Sequence, residues 1–471
     1  MVGFVEDILP LERQAVSAFE SIGFARAPSF VSTMKRRAVA LGITYEDEKA
    51  HPFFMNFGLL PVVIPPPVLR YLRRCAEEIM DGLRRILPVW MEDPELRELL
   101  PLWPEEEEFV RATWTPSHAN LQPAIARLDA SVGCGDPSRL AQAGFYEVNT
   151  SCVGGMHYSP AGETFLEREI LPRLPASLRG RFRRQEDLRD IILRHLEAHR
   201  RRIGQRPGTL VLLEDRDTHG GITEYPSMAA HFRSRGMDAI VADPREVEAR
   251  GDELFVRGRR AAMFFRNVEA RDLVRMERRA GVLRPVRHAF RRHRVVSSTI
   301  GEFDHKSLWE VFQDPRFRRL FPSRQRTIFR RHLPWTRLVR EGSSSLPDGS
   351  SGELTRFVRR RQQTLVLKPN RSCGGTGVTI GSEVSRAKWE STLERALGDT
   401  QEGWVVQEYV LGFRKRLPIL HTRHGVVLEP VFVNYGVLAC REGFGLIGRV
   451  CREPIVNVSR GGAQMAMFHG R

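Results

Sequence analysis

Leu367-Lys368-Pro369-Asn370-Arg371-Ser372-Cys373-Gly374-Gly375-Thr376-Gly377 is the stretch on which the reading of this chain turns. Closely spaced glycines let successive backbone N–H groups converge on an anion. The flanking segments Thr364 to Pro369 and Val378 to Ile380 read as strands, so the glycines form a loop between two strands. Such a loop can fold over phosphates, and Lys368 beside it can meet a phosphate as a point charge. The spacing matches neither GxxxxGK[ST] nor GxGxxG, which sets aside a P-loop and a dinucleotide fingerprint. Alone, the stretch is equally compatible with a tight hairpin that holds no ligand.

Downstream, Ala387 to Leu397 reads as a helix and Trp404 to Val410 as a strand. If the glycine loop covers the phosphates of ATP, then Gln407, Glu408, Tyr409 and Val410 are placed to meet the adenine, with Glu408 as a hydrogen-bond acceptor. Further strand signal covers Gly425 to Val433. Upstream, the Gly-, Ser- and Pro-rich Glu341 to Glu353 reads as an exposed loop or boundary.

Farther upstream, Gly144 to Thr150 is a strand on which Glu147 and Asn149 share a face, being two residues apart. Arg127-Leu128-Asp129 precedes it. Asp129, Glu147 and Asn149 supply hard oxygen donors of the kind Mg²⁺ takes together with substrate phosphates. Arg127 is the candidate contact to a transferring phosphoryl group. By spacing alone these are also common surface residues.

Residues 209 to about 275 alternate strand and helix and predict a mostly parallel sheet covered by helices. Residues 64 to 120 read mainly as helix, with Pro65-Pro66-Pro67 as a stiff lead-in. The expected organisation is 1–109, a mainly helical region and candidate substrate wall; 110–208, the metal-binding segment and helices; 209–340, the α/β substrate domain and a helical connection; and 341–471, the nucleotide clamp and C-terminal core segment.

The chain has 471 residues, 41% hydrophobic and 28% charged, which suits a large multilobed globular protein. Its net charge of +16 suits anionic ligands. The same charge allows nucleic acid, but aromatic residues are not regularly interleaved with one basic patch, which argues against a dedicated nucleic-acid surface. The six cysteines form no CxxC pair and no zinc-spaced cluster with histidine, which fits free thiols and a cytoplasmic location. The N-terminus lacks a signal pattern, and no run of eighteen apolar residues predicts a membrane span.

Taken together, Arg127-x-Asp129, Glu147-x-Asn149, Lys368 with the loop Ser372 to Gly377, and Gln407 to Val410 resemble the circularly permuted ATP-grasp family related to the ligase domain of glutathionylspermidine synthase. The resemblance lies in the order of the segments, with the Glu-x-Asn strand ahead of the lysine and glycine loop, and covers about residues 110–465. It implies an α/β, multilobed, permuted ATP-grasp-like fold that binds ATP and Mg²⁺. The implied activity is carboxylate–amine ligation through an acyl phosphate, on an amino-acid, peptide or natural-product substrate. Another nucleophile, or ATP binding in a regulatory protein without turnover, is the alternative. No cysteine amidase-like domain is present, so polyamine and glutathione specificities do not carry over.

Within that resemblance, Arg449 and Arg460 join Arg127 and Lys368 as catalytic candidates. Arg452 and Asn457 in the same C-terminal segment are candidate substrate contacts. So are His219, Gly220, Gly221, Thr223 and Glu224 in the Asp217 to Tyr225 loop, and Arg266-Asn267 at a strand end. Neither Cys373 nor Cys451 has a local histidine that would specify thiol catalysis.

Overall fold

The computed structural model describes residues 4–23, 27–46, 51–217, 221–281 and 283–470. Three sheets matter for the site. The largest has eight strands in the order Phe4–Glu6, Gly412–His421, Phe57–Gly58, Ala463–Met465, Gly443–Cys451, Gly425–Cys440, Ala126–Ser131 and Gly144–Asn149. Gly412–His421 also pairs with Gly425–Cys440, so part of this sheet closes on itself. The long strand Gly425–Cys440 makes this possible: along one edge it pairs first with Gly412–His421 and then with Ala126–Ser131.

A second, antiparallel sheet has the order Thr336–Leu338, Trp404–Glu408, Leu365–Pro369 and Thr379–Ile380. Its apolar face carries Leu365, Leu367, Trp404 and Val406 into a core with Trp389 and Leu393 of the helix Arg386–Gly398. Strand alternation then turns Val366, Lys368 and Gln407 to the other side.

The α/β region is a six-stranded sheet. Ala239–Ala242, Thr209–Glu214, Arg259–Asn267 and Val295–Val296 run parallel, while Glu253–Val256 and Val247–Arg250 extend it antiparallel. Helices Leu188–Arg202 and Glu224–Ser234 bury Ile191, Ile192, Leu196, Met228 and Phe232 against it. The mixed α/β class and the parallel core agree with the pattern read from the sequence.

The first hundred residues are largely helical, yet they pack as part of the large-sheet core. The helix Pro66–Trp90 starts at the proline run, with Pro65 as its cap, and buries Leu72, Ile79, Leu83, Ile86 and Leu87 at helical spacing. Phe4–Glu6 adds a parallel edge strand to Gly412–His421. A fully buried ion cluster lies beneath it: Lys415 Nζ donates to Glu12 Oε2 at 2.7 Å and to the Asp7 carbonyl at 2.6 Å.

Two local expectations are corrected, and one strand is added. Glu341 to Glu353 contains a hairpin, Ser343–Ser345 with Ser351–Glu353, not an open loop. The strand expected to end near Val433 runs on to Cys440. The glycine-bearing segment after it holds the regular strand Gly443–Cys451, because its interior residues Gly445 to Val450 are buried between two neighbours. Among the described residues, no helix is long and apolar enough to cross a membrane.

Candidate functional site

The chain leaves the small sheet at Glu408 and enters the large one at Gly412, so the two sheets are joined by only Tyr409, Val410 and Leu411. Ser131 Oγ bonds the Leu411 carbonyl at 2.7 Å and fixes this crossing. Between the sheets lies a cleft enclosing roughly 1020 Å³, including its mouth. Arg127, Asp129, Glu147, Asn149, Lys368, Ser372, Gly374, Gly375, Gln407 to Val410, Arg449 and Asn457 all line it. Residues spread over more than three hundred positions of sequence thus meet in one place.

On the small sheet, Lys368 Nζ donates to Gln407 Oε1 at 2.6 Å and lies 5.3 Å from the centroid of the Tyr146 ring. Burial pushes its pKa down to about 8, against the opposing pull of Glu147. The loop beyond it turns through Gly374, Gly375 and Gly377, with φ of +69°, +74° and +74°, the left-handed region that glycine enters without strain. A Cβ on Gly375 would also come within 2.6 Å of Ile455, so the C-terminal segment Pro454 to Asn457 closes against this loop. Arg460 Nη1 donates to the Gly375 carbonyl at 3.1 Å. At the root of the loop, Arg371 forms a buried ion pair with Glu106 at 2.5 Å, tying it to the helix Pro104–Thr113.

On the large sheet, Asp129 faces Glu147 and Arg127 faces Asn149 in antiparallel register. A bulge follows, in which Tyr146 is the extra residue, and its ring reaches the cleft as well. Arg127 holds Asp129 through Nε at 2.9 Å and Nη2 at 3.3 Å, and Arg449 Nη2 holds it at 2.6 Å. Burial alone would raise the Asp129 pKa, but the two guanidiniums hold it below the ordinary carboxylate value. Arg127 Nη1 also donates to the Gly154 carbonyl at 2.9 Å, and Arg449 Nη2 to Asn434 Oδ1 at 3.1 Å.

The donor set for a divalent cation therefore divides. Glu147 and Asn149 stand half-buried in the cleft wall. The Asn149 amide nitrogen is directed to the Arg127 carbonyl at 3.2 Å, which leaves its Oδ1 as the donor for a cation. Both Asp129 oxygens are already taken by guanidiniums. A carboxylate and an amide oxygen completed by phosphate oxygens fit Mg²⁺. Asp129 fits the role of orienting the two arginines better than that of a metal ligand.

The remaining candidates lie outside the cleft wall. Arg266 is buried, its guanidinium bonded to the carbonyls of Ser297, Val268 and Ser298 and paired with Glu302 at 2.6 Å, so it braces a strand end. Asn267 Nδ2 donates to Glu214 at 3.3 Å. The buried Glu224 carboxylate accepts the Gly155 and His157 backbone N–H groups at 3.0 and 2.9 Å. Burial carries its pKa up to about 7 despite those bonds. Thr223 N donates to Tyr158 Oη at 2.7 Å, and Gly221 pairs with Glu46 in a small sheet. Arg452 is paired with Glu429. Cys373, Thr376 and Gly377 belong to the glycine loop without lining the cleft, and Cys373 is exposed. His219 and Gly220 lie outside the described residues.

One residue escaped the sequence reading. Lys306, in the turn before the helix Leu308–Gln313, lines the cleft, donates to the Ser372 carbonyl at 2.6 Å and lies 3.2 Å from Glu147. Asn370 fixes that turn, giving its carbonyl to Lys306 N–H at 3.1 Å and its side-chain oxygen to Ser307 N–H at 2.9 Å. A signal for it was present: the chain has only six lysines among 73 basic residues. Lysine supplies a compact point charge where arginine supplies a planar fork.

The architecture is a mixed α/β fold with several sheets. Among solved structures, the chain is similar to a glutathione synthetase-like effector (GSS30) from Globodera pallida in its apo form. The TM-score is 0.61 at 10% identity, covering 93% of this chain and 96% of the other. No protein-family model matches the chain, and a search of characterised proteins finds no match.

Proposed function

We propose that the protein is an ATP-dependent ligase of ATP-grasp type, in the permuted order, that activates a carboxylate as an acyl phosphate for attack by an amine. One observation carries this reading. A single cleft between the small and the large sheet collects a glycine loop, two buried lysines, a Glu–Asn donor pair and two arginines locked on one aspartate. The likeness to a glutathione synthetase-like structure supports it at the level of the fold.

In this reading the adenine lies against Gln407 to Val410. The Glu408 and Tyr409 N–H groups there are already bonded to the Trp335 and Thr364 carbonyls at 2.9 Å and do not serve its edge. The glycine loop covers the phosphates, and Lys368 and Lys306 neutralise their charge. Glu147 and Asn149 hold Mg²⁺, which withdraws charge from the phosphate oxygens when bound. The substrate carboxylate oxygen attacks the γ-phosphorus and ADP leaves with the bridging oxygen. Arg127 and Arg449, held in place by Asp129, stabilise the spread charge of the transferring group. The amine then adds to the acyl carbon and phosphate departs with one former carboxylate oxygen. No protein nucleophile takes part. The substrates are a small-molecule or peptide carboxylate and an amine.

The test follows from that oxygen. With a carboxylate labelled with heavy oxygen, one label should appear in phosphate for each amide formed. Product formed without label in phosphate would remove the acyl phosphate route. Saturable Mg²⁺–ATP binding with no ADP release across acid–amine pairs would instead favour a regulatory nucleotide-binding protein.

A further inference from the structure

Away from the cleft, Cys440, His195 and Glu442 each bring one polar atom to within 4.8 Å of the others. Cys440 ends the strand Gly425–Cys440, Glu442 lies in the turn that follows, and His195 comes from the middle of the packed helix Leu188–Arg202. The imidazole is only 2% exposed. Its Nδ1 is hydrogen-bonded to the Glu442 carboxylate, and its Nε2 has no hydrogen-bond partner. Burial alone would lower its pKa, but the contacts with Cys440 and Glu442 prevail and carry it up to about 9.

Other cations surround the same sulfur. The charges of Arg84 and Arg194 act on Cys440. Arg194 is held by the Glu442 carbonyl at 3.1 Å and by Glu186 at 2.5 Å. Arg202 holds Glu442 Oε1 at 3.2 Å, so the carboxylate that orients His195 is itself fixed. Cys440 is half-buried and directs its S–H to the Gly443 carbonyl at 3.6 Å. The thiolate is the nucleophile, and here the sulfur is partly exposed beside a buried histidine oriented by a carboxylate and near two guanidiniums. The three donors are also of types zinc accepts, but the neighbouring guanidiniums repel a dication. Thiol chemistry accounts for them and a metal does not.

We propose that Cys440 is an activated thiol, outside the nucleotide cleft, that exchanges with low-molecular-weight disulfides. Its S–H proton passes to solvent and the thiolate attacks one sulfur of the disulfide. The new S–S bond forms as the old one breaks, and the departing thiolate carries away the electron pair and takes a proton from water. The disulfide is the only oxidant required. Burial pushes Cys75 and Cys134 up to about 12 and raises Cys152 and Cys451, while Cys373 is exposed.

The test treats the whole protein with a neutral dipyridyl disulfide and follows each cysteine by peptide mass spectrometry. Cys440 should react about tenfold or more faster than exposed Cys373. His195→Gln, and separately Glu442→Gln, should slow Cys440 several-fold and leave Cys373 unchanged. If Cys440 in the unaltered protein reacts no faster than Cys373, the proposal falls, whether or not the variants fold. Stoichiometric zinc in the isolated protein, with chelation accelerating Cys440 labelling, would replace it with a metal site.

Discussion

The Lys306 ammonium lies 3.2 Å from the Glu147 carboxylate. The two residues come from opposite walls of the cleft, because Lys306 is also bonded to the Ser372 carbonyl at the base of the glycine loop. One side chain therefore spans the candidate phosphate loop and the candidate metal ligand. Lys306→Met should weaken Mg²⁺–ATP binding by about tenfold or more, the size of a lost hydrogen bond to a charged group. Calorimetry on the folded variant checks this, and unchanged affinity would remove Lys306 from the phosphate site.

Lys368 should make nucleotide binding depend on pH. Burial sets its pKa to about 8 without ligand, and phosphate binds the protonated form. The charged form is complete below that value and is lost as pH rises through it. ATP affinity should then be flat near pH 7 and fall about tenfold for each unit above roughly pH 8. In Lys368→Met the weakened binding should lose this dependence. A wild-type profile that stays flat to about pH 9 would contradict the assignment.

Asp129 is expected to act through the arginines it holds. In Asp129→Asn the ion pairs with Arg127 and Arg449 become neutral hydrogen bonds and both guanidiniums lose their fixed orientation. Turnover should drop by about a hundredfold, the scale of a small misplacement in a reacting site, with ATP affinity changed only a few-fold. Loss of Mg²⁺ binding as the main defect, measured by metal titration in the presence of ATP, would return Asp129 to the ligand set.

The Lys415 cluster predicts an effect on stability. Lys415→Met leaves the Glu12 carboxylate buried without its cation, beneath the edge strand Phe4–Glu6. The expected loss is about 3–5 kcal/mol, read as a lower urea midpoint. A loss within experimental error would mean that the N-terminal segment does not depend on this pair.

Local physics made much of the fold legible. Short apolar runs revealed the strands at Leu365–Pro369 and Trp404–Glu408, one face of each packing on Trp389 while the other lines a cleft. The proline run before Pro66–Trp90 and the glycines at 374 to 377 were equally plain, because each restricts or frees φ on its own. The strand Gly443–Cys451 was obscured by its glycines. Gly445 has none of the side-chain signal of a strand, yet a Cβ there would come within 2.2 Å of Leu188 on the packed helix. That close approach is a tertiary reason for glycine, invisible in a local pattern.

Local sequence patterns named most of the residues proposed for the chemistry of the cleft, Lys306 excepted. A strand places Glu147 and Asn149 on one face, and a glycine loop following a lysine strand offers converging N–H groups wherever it lies. Only the tertiary structure decided how those groups are shared. Asp129 carries its charge in any fold, but two arginines reach it because Gly425–Cys440 pairs with both Ala126–Ser131 and Gly443–Cys451. Arg266 and Glu224 read as ligand contacts at the level of sequence. In the folded chain the carbonyls and N–H groups around them are buried and need partners, so these side chains are committed to holding the scaffold.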